Sequence, residues 1–190
     1  MKSQDYYEWK PNLGLKFNTT NFNLRSLHLN DDHNKHVSWL NNKDINKWLN
    51  SNWKKHSIDT VKGFIKTQDH FNIFHLGVFE KKNNEHIGNF SIFIDHHHKT
   101  AETRVLIGNK LWWGKGVVLE CRSVIISWLF DIVKVYKIWG NPAMNNIAAV
   151  FNYQKQGYKC EAILKKHKIS LDKKRYDVGI FSLTKEYWKN

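Results

Sequence analysis

The sequence predicts an α/β domain whose sheet runs in mixed directions, with one parallel pair of strands flanking a long apolar helix. Three observations predict it. Short apolar runs of strand character alternate with stretches of helical spacing through most of the 190 residues. Residues 71–80 and 86–95 are strand candidates separated by the polar turn Lys81-Lys82-Asn83-Asn84, which makes them a hairpin. The run V-L-I-G-N-K-L-W-W-G-K-G at 105–116 reads as a strand end, a glycine-bearing turn and the entry to an apolar helix reaching Val133. A further short strand at 136–140 then returns parallel to the first.

The elements follow in order. Residues 1–20 hold Pro11, Gly14 and an N-T-T-N cluster without a sustained period, and read as an N-terminal extension to a domain over 21–190. Residues 23–29 alternate like a short strand. Asn30-Asp31-Asp32 is a cap signal for a helix carrying His36, Val37, Trp39 and Leu40, and Asn41-Asn42 stops it. A second helical stretch holds Ile45, Trp48 and Leu49; Ser57 caps a third with Ile58, Val61, Phe64 and Ile65. After the hairpin, His96-His97-His98-Lys99 is a polar tip and 100–108 a third strand of the meander. Beyond 136–140 come a helix over 145–156 stopped by Gly157, and strands over 158–167 and 175–183.

Composition excludes several classes. A chain 41% hydrophobic and 14% aromatic is not wholly disordered. No apolar run approaches the roughly 18 residues of a membrane span. The first ten residues have no apolar segment, which argues against a secretory signal. Two cysteines, Cys121 and Cys160, without such a signal point to a reducing cytoplasm, with Cys121 a small buried hydrophobe of the long helix. The net charge of +13 is almost all lysine, the only arginines being Arg25, Arg104, Arg122 and Arg175. Such a chain attracts polyanions or nucleotide-bearing molecules, and a polycation would approach against its field. A nucleic-acid-binding module is the alternative of another class, but the basic residues are scattered and no nucleic-acid motif accompanies them.

The stretch 105–116 is the best candidate site. Amides of a helix's first turn point outward, the helix dipole favours an anion there, and Gly114 and Gly116 let backbone approach a phosphate. The dinucleotide fingerprint fails because position 119 is Leu, and the P-loop fails because Gly116 follows Gly114-Lys115.

The runs I-G-N-K-L-W-W-G-K-G, K-I-W-G-N and N-N-I-A-A-V-F-N-Y-Q-K-Q-G-Y resemble the GNAT acetyltransferases, nearest the RimJ/RimL-type branch. The resemblance spans about Leu24 to Trp188. V-S-W-L-N-N-K-D-I-N-K-W-L-N is similar to members from amino-sugar and surface-polysaccharide pathways. It implies a mixed, mostly antiparallel sheet of about six to seven strands with a central parallel pair and about four helices. The family's phosphate motif falls on Leu111-x-x-Gly114-x-Gly116, with Leu111 in place of Gln or Arg and Val118 where a small residue is usual. Backbone amides make most of that contact.

The resemblance further implies acetyl-CoA-dependent transfer of an acetyl group to a primary amine, without a metal. Ile107, Trp113, Gly114, Lys115, Gly116, Val117 and Val118 would bind the cofactor, with Asn146, Asn152 and Lys155 from the last helix. Asn146 also reads as a helix cap and Lys155 as a solvated lysine. Tyr153 matches the tyrosine that protonates the leaving thiolate; its bland alternative is a core residue. An amine of pKa near about 10.4 must lose a proton to attack. Glu102 is the candidate base, against a surface carboxylate paired with Arg104 or a water chain; His75 is a lesser candidate. Three adjacent histidines point to different sides and make a poor metal site. Trp39, Trp48 and Trp53 are candidates to line an acceptor cleft. The expected partner is a small anionic amine acceptor, most simply a nucleotide-linked amino sugar, ahead of a protein N-terminal amine and of aminoglycosides or polyamines. A homodimer is compatible with the resemblance.

Overall fold

The computed structural model describes residues 7–10 and 14–188, the first four by backbone alone. Pro11 and the residues before Tyr7, part of the expected extension, lie outside the described residues. The chain runs β1 (Tyr7–Lys10), β2 (Gly14–Asn18), β3 (Phe22–Ser26), α1 (Asn34–Asn41), α2 (Lys43–Asn46), α3 (Ile58–Ile65), β4 (Ile73–Glu80), β5 (His86–Asp95) and β6 (Thr100–Ile107). After a 3-10 turn at Lys110–Trp112 come α4 (Val117–Trp128), a π-helical turn at Leu129–Val133, β7 (Lys137–Gly140), α5 (Ile147–Lys155), β8 (Lys159–Ile169) and β9 (Arg175–Thr184).

The described strands form one nine-stranded sheet in the order β1-β2-β3-β4-β5-β6-β7-β9-β8. Every pairing is antiparallel except β6 with β7. The expected fold is therefore present, with nine strands in place of six or seven and five α-helices in place of four. Residues read as an extension supply the difference: β1 and β2 join the sheet, and Leu15 and Phe17 of β2 enter the core. With strands this short, alternation is sampled too few times to register as a period.

Helices cover both faces. Val117, Cys121, Ile125, Ile126 and Leu129 of the α4 segment pack on the even-numbered residues Phe74, Leu76 and Val78 of β4, and Tyr153 of α5 joins the same cluster. Leu27, Val61 and Ile65 form a smaller cluster with Val37 and Leu40, placing α1 and α3 on a separate apolar centre. Ser57 caps α3 in a capping box with Thr60, as its position before the apolar run predicts. The cap signal at 30–32 is split: Asp32 Oδ1 accepts the Asn34 amide at the start of α1 at 3.0 Å. Asp31 accepts both guanidinium nitrogens of Arg25, and His33 takes the N-cap position of α1 without a side-chain bond.

The parallel pair is short. Register holds at Thr100↔Lys137, Ala101↔Ile138 and Glu102↔Trp139 and then ends. Beyond Glu102, β6 continues to Ile107 on β5, while Gly140 of β7 pairs with Phe181 of β9. The sheet thus opens between its two parallel strands. At the far edge, β8 is solvent-exposed along nearly its whole length and carries register shifts at Cys160/Ala162 and Leu164/Lys168.

Candidate active site

The cradle at the end of β6 is built by local chemistry. Gly108 and Asn109 both donate to Ile87 O, which turns the chain out of the strand. Asn109 Oδ1 accepts the Leu111 amide, and the Trp113 indole Nε1 donates to Ile107 O at 2.8 Å. Two predicted cofactor residues, Ile107 and Trp113, therefore contact each other directly. Gly114 and Gly116 have φ of +73° and +76°, a conformation costly for other L-residues. A Cβ on either would meet no atom within 4 Å, so the space above both is open.

Gly116 is the N-cap of α4 and has no side chain to satisfy the helix. The first helical bond runs from Glu120 N–H to Gly116 O, so the amides of Val117, Val118 and Leu119 precede the ladder. Lys115 is exposed beside them, its ammonium 5.8 Å over the Trp112 ring. These features fit a pyrophosphate: outward amides, the positive end of a twelve-residue helix, an exposed cation and no side chain in the way. Leu111, the departure from the family motif, is 75% exposed and blocks nothing. Val117 is buried in the core, so its amide alone is available to a ligand, while Val118 is half-buried.

Glu120, which sequence reading passed over, fastens the cradle helix to the sheet. Its carboxylate accepts from Thr19 Oγ1, Asn21 N and Asn21 Nδ2 at 2.6, 2.6 and 2.9 Å. Burial alone would raise its pKa, but the bonds from Thr19 and Asn21 hold it below the ordinary value.

Tyr153 lies where the parallel pair parts. It is 5% exposed, stacked on Phe181 with Tyr158 edge-on, and its hydroxyl is 3.4 Å from Thr103 O. An O–H···O bond is ordinarily below about 3.0 Å, so this hydroxyl is loosely engaged. A Cβ on Gly140 would stand 2.0 Å from it, so β7 passes the hydroxyl only because residue 140 is glycine. Burial raises the Tyr153 pKa.

Glu102 is buried, and Arg104 grips both its oxygens at 2.7 Å while lying 4.5 Å over the Phe93 ring. The pairing weighed against the base role is thus present, its carboxylate buried and its arginine exposed. Alternation puts Glu102 and Arg104 on the face opposite Ala101, Val105 and Ile107, which pack with α4. Lys168 of β8 lies close enough to respond to this pair: burial, then Arg104, lowers its pKa, and Glu102 opposes. His75 is 1% exposed between Thr67 Oγ1 and Ser91 Oγ and is stacked on Phe64. Burial, with Arg104, takes its pKa to about 4, so the ring is neutral.

Asn146 caps α5, accepting the Ala149 amide, as its sequence position predicts. Asn152 is half-buried and Lys155 exposed on the same helix, which packs against α4. A cleft of about 410 Å³ between α1, α2 and the turn after β6 touches the cradle at Asn109 and Lys110 and includes Trp39; neither Glu102 nor Tyr153 lines it. Trp39 lies against Gly108, where a Cβ would be 1.8 Å from its ring. Trp48 instead packs on Tyr176, and Trp53 is 70% exposed. His96 stacks on Phe71, and among the described residues no three His, Cys, Asp or Glu are placed to hold a metal. Among the same residues, no helix is long and apolar enough to cross a membrane.

The acetyltransferase (GNAT) domain family matches residues 21–159, and the chain belongs to that family. It is an acetyltransferase whose co-substrate is acetyl-CoA. A search of curated protein sequences returned no significant match. Solved structures share the fold. The spermidine N-acetyltransferase from Vibrio cholerae, in complex with CoA and spermine, superposes with a TM-score of 0.77 at 21% identity, over 90% of this chain and 99% of that one. The Microcin C7 self immunity acetyltransferase MccE, in complex with acetyl-CoA and AMP, gives 0.74 at 22%, over 87% and 93%. A GNAT-family acetyltransferase from Bacillus anthracis gives 0.77 at 15%, over 90% and 99%.

Proposed function

We propose that the protein acetylates the primary amine of a small anionic acceptor, a nucleotide-linked amino sugar, as a member of the RimJ/RimL-type branch. The observation that carries the donor half is the cradle: two left-handed glycines under open space, followed by the free amides of α4. In this reading Gly114 to Val118 hold the pyrophosphate, with Asn146, Asn152 and Lys155 along the rest of the coenzyme. Tyr153 protonates the leaving thiolate. Glu102 receives the amine's proton through water, each carboxylate oxygen keeping a second lone pair beside its bond to Arg104.

Charge supports the acceptor half. On the face of β6 away from α4, the one carboxylate is occupied by Arg104, and Lys168 adds a second cation. A polyamine of the kind named for the Vibrio cholerae structure would meet cations there, within a chain of net charge +13. MccE holds AMP together with acetyl-CoA, which supports a nucleotide-bearing acceptor on this fold. Free Cys121 and Cys160 accord with work in a reducing cytoplasm.

The test is release of free thiol from acetyl-CoA across nucleotide-linked amino sugars, peptides, polyamines and aminoglycosides. Amino-sugar nucleotides are expected to release thiol fastest. Release with polyamines alone overturns the acceptor reading. Unchanged thermal stability in saturating acetyl-CoA overturns the donor reading.

A further inference from the structure

Arg122 stands inside the apolar face of α4 and is 1% exposed. An isolated cation taken out of water is costly, and buried guanidinium groups ordinarily meet a carboxylate. Among the described residues none pairs with Arg122. Glu120 is committed to Thr19 and Asn21, and Glu102 to Arg104. What Arg122 meets is Gln156 Oε1, 3.4 Å from Nη1, and the face of the Tyr153 ring, 4.4 Å from Cζ. Its Nε has no partner, and the buried Thr103 interacts with the Tyr153 and Tyr158 phenols. A cation, two phenols and a threonine hydroxyl are thus gathered beneath the point where β6 and β7 part.

We infer that Arg122 is a positioning residue for Tyr153: its charge, held against the ring, makes the hydroxyl a better proton donor and stabilises the phenolate left behind. This rests on the acid role proposed above for Tyr153. When the carbon–sulfur bond of the thioester breaks, the electron pair goes to sulfur and the Tyr153 proton completes the thiol. The tyrosinate then regains, through solvent, the proton lost by the acetylated nitrogen. Thioester and amine give amide and thiol, with no further reactant. Tyr153 faces Arg122 from α4 and Tyr158 at the head of β8, and feels Glu102 and Arg104 from the other face of β6. Burial raises the phenol, and Arg122 is the strongest charge opposing that rise. An acid nearer the thiol's pKa, about 8.5, transfers its proton more readily.

The experiment titrates tyrosine ionisation by ultraviolet difference absorbance in the full chain, the Tyr153 contribution isolated by subtracting the Tyr153→Phe titration. Arg122→Met and Arg122→Gln are expected to move that ionisation upward by about one pH unit. Both should lower turnover about tenfold with KM for acetyl-CoA little changed, while thermal stability stays level or rises, because an unmatched buried charge has been removed. Arg122→Lys is expected to restore part of the shift. Overlapping wild-type and Arg122→Met titrations overturn the inference. Failure of both neutral variants to fold also overturns it, since Arg122 would then be structural. The titration needs no acceptor, so a protein inactive on every amine tried would refute the proposed function while still returning an answer on Arg122.

Discussion

Two pairs of glycines border the opening in the sheet, and they are glycine for different reasons. Gly114 and Gly116 adopt left-handed backbone under empty space. Gly108 and Gly140 have no such backbone, yet an added Cβ would meet the Trp39 ring at 1.8 Å and the Tyr153 hydroxyl at 2.0 Å. One pair stands under open space, where the proposed cofactor would lie, and the other is filled by the protein's own aromatics. Substitution should therefore separate binding from folding: at the first pair the ligand loses its place, and at the second the core does.

Gly108→Ala is the strongest test. The Trp39 ring must leave its seat, and a loss of about 3 kcal/mol is expected by chemical denaturation. In a Trp39→Ala background the same change should cost little, and full additivity would refute the contact. Gly140→Ala comes next, at roughly 2 kcal/mol, since Tyr153 is wedged between Phe181 and Tyr158. Part of that cost should vanish when Tyr153→Phe removes the hydroxyl. Tyr153→Phe itself should lower turnover by about a hundredfold and acetyl-CoA affinity far less, measured by steady-state kinetics and calorimetry. Gly114→Ala should cost only about 1 kcal/mol of stability, yet weaken acetyl-CoA binding more than either change at the filled pair. Equal binding losses at both pairs would erase the distinction.

The smallest effect concerns how the open pair is held. Glu120 ionises below its ordinary value in the fold, so its contribution is present above the unfolded-state pKa and is lost as pH falls through the folded one. Glu120→Gln should flatten that acid limb, by less than about 1 kcal/mol, in unfolding curves followed from neutral to acid pH. A limb unchanged in Glu120→Gln would detach Thr19 and Asn21 from the cradle.

Much of this was legible in the sequence where polar punctuation is dense. Lys81-Lys82-Asn83-Asn84 fixed the start of β5, Asn146 and Gly157 bracketed α5, and the two left-handed glycines were visible as W-G-K-G. Contacts between distant residues were not. Nothing near Gly108 or Gly140 announces that an aromatic from another element will lie on it, because sterics of that kind exist only after folding. Glu102 illustrates the middle case. Its neighbour Arg104 was in plain view, but that Glu102 is buried beneath an exposed Arg104 on the face away from α4 depends on how the sheet is packed. Arg122 did carry a signal, a basic residue amid V-V-L-E-C-R-S-V-I-I-S-W, whose meaning required Tyr153 to be placed beside it.

The outermost strand has a consequence for life in a crowded solution. An exposed edge of eleven residues invites another chain to pair with it. Here that edge carries Lys159, Lys165, Lys166 and Lys168, and its two register shifts break the flat ladder that a newcomer would need. Any copy adding itself in register would stack ammonium on ammonium at about 4.8 Å intervals. Four of the lysines that give the chain its charge thus line the one long exposed edge where pairing with another strand would begin.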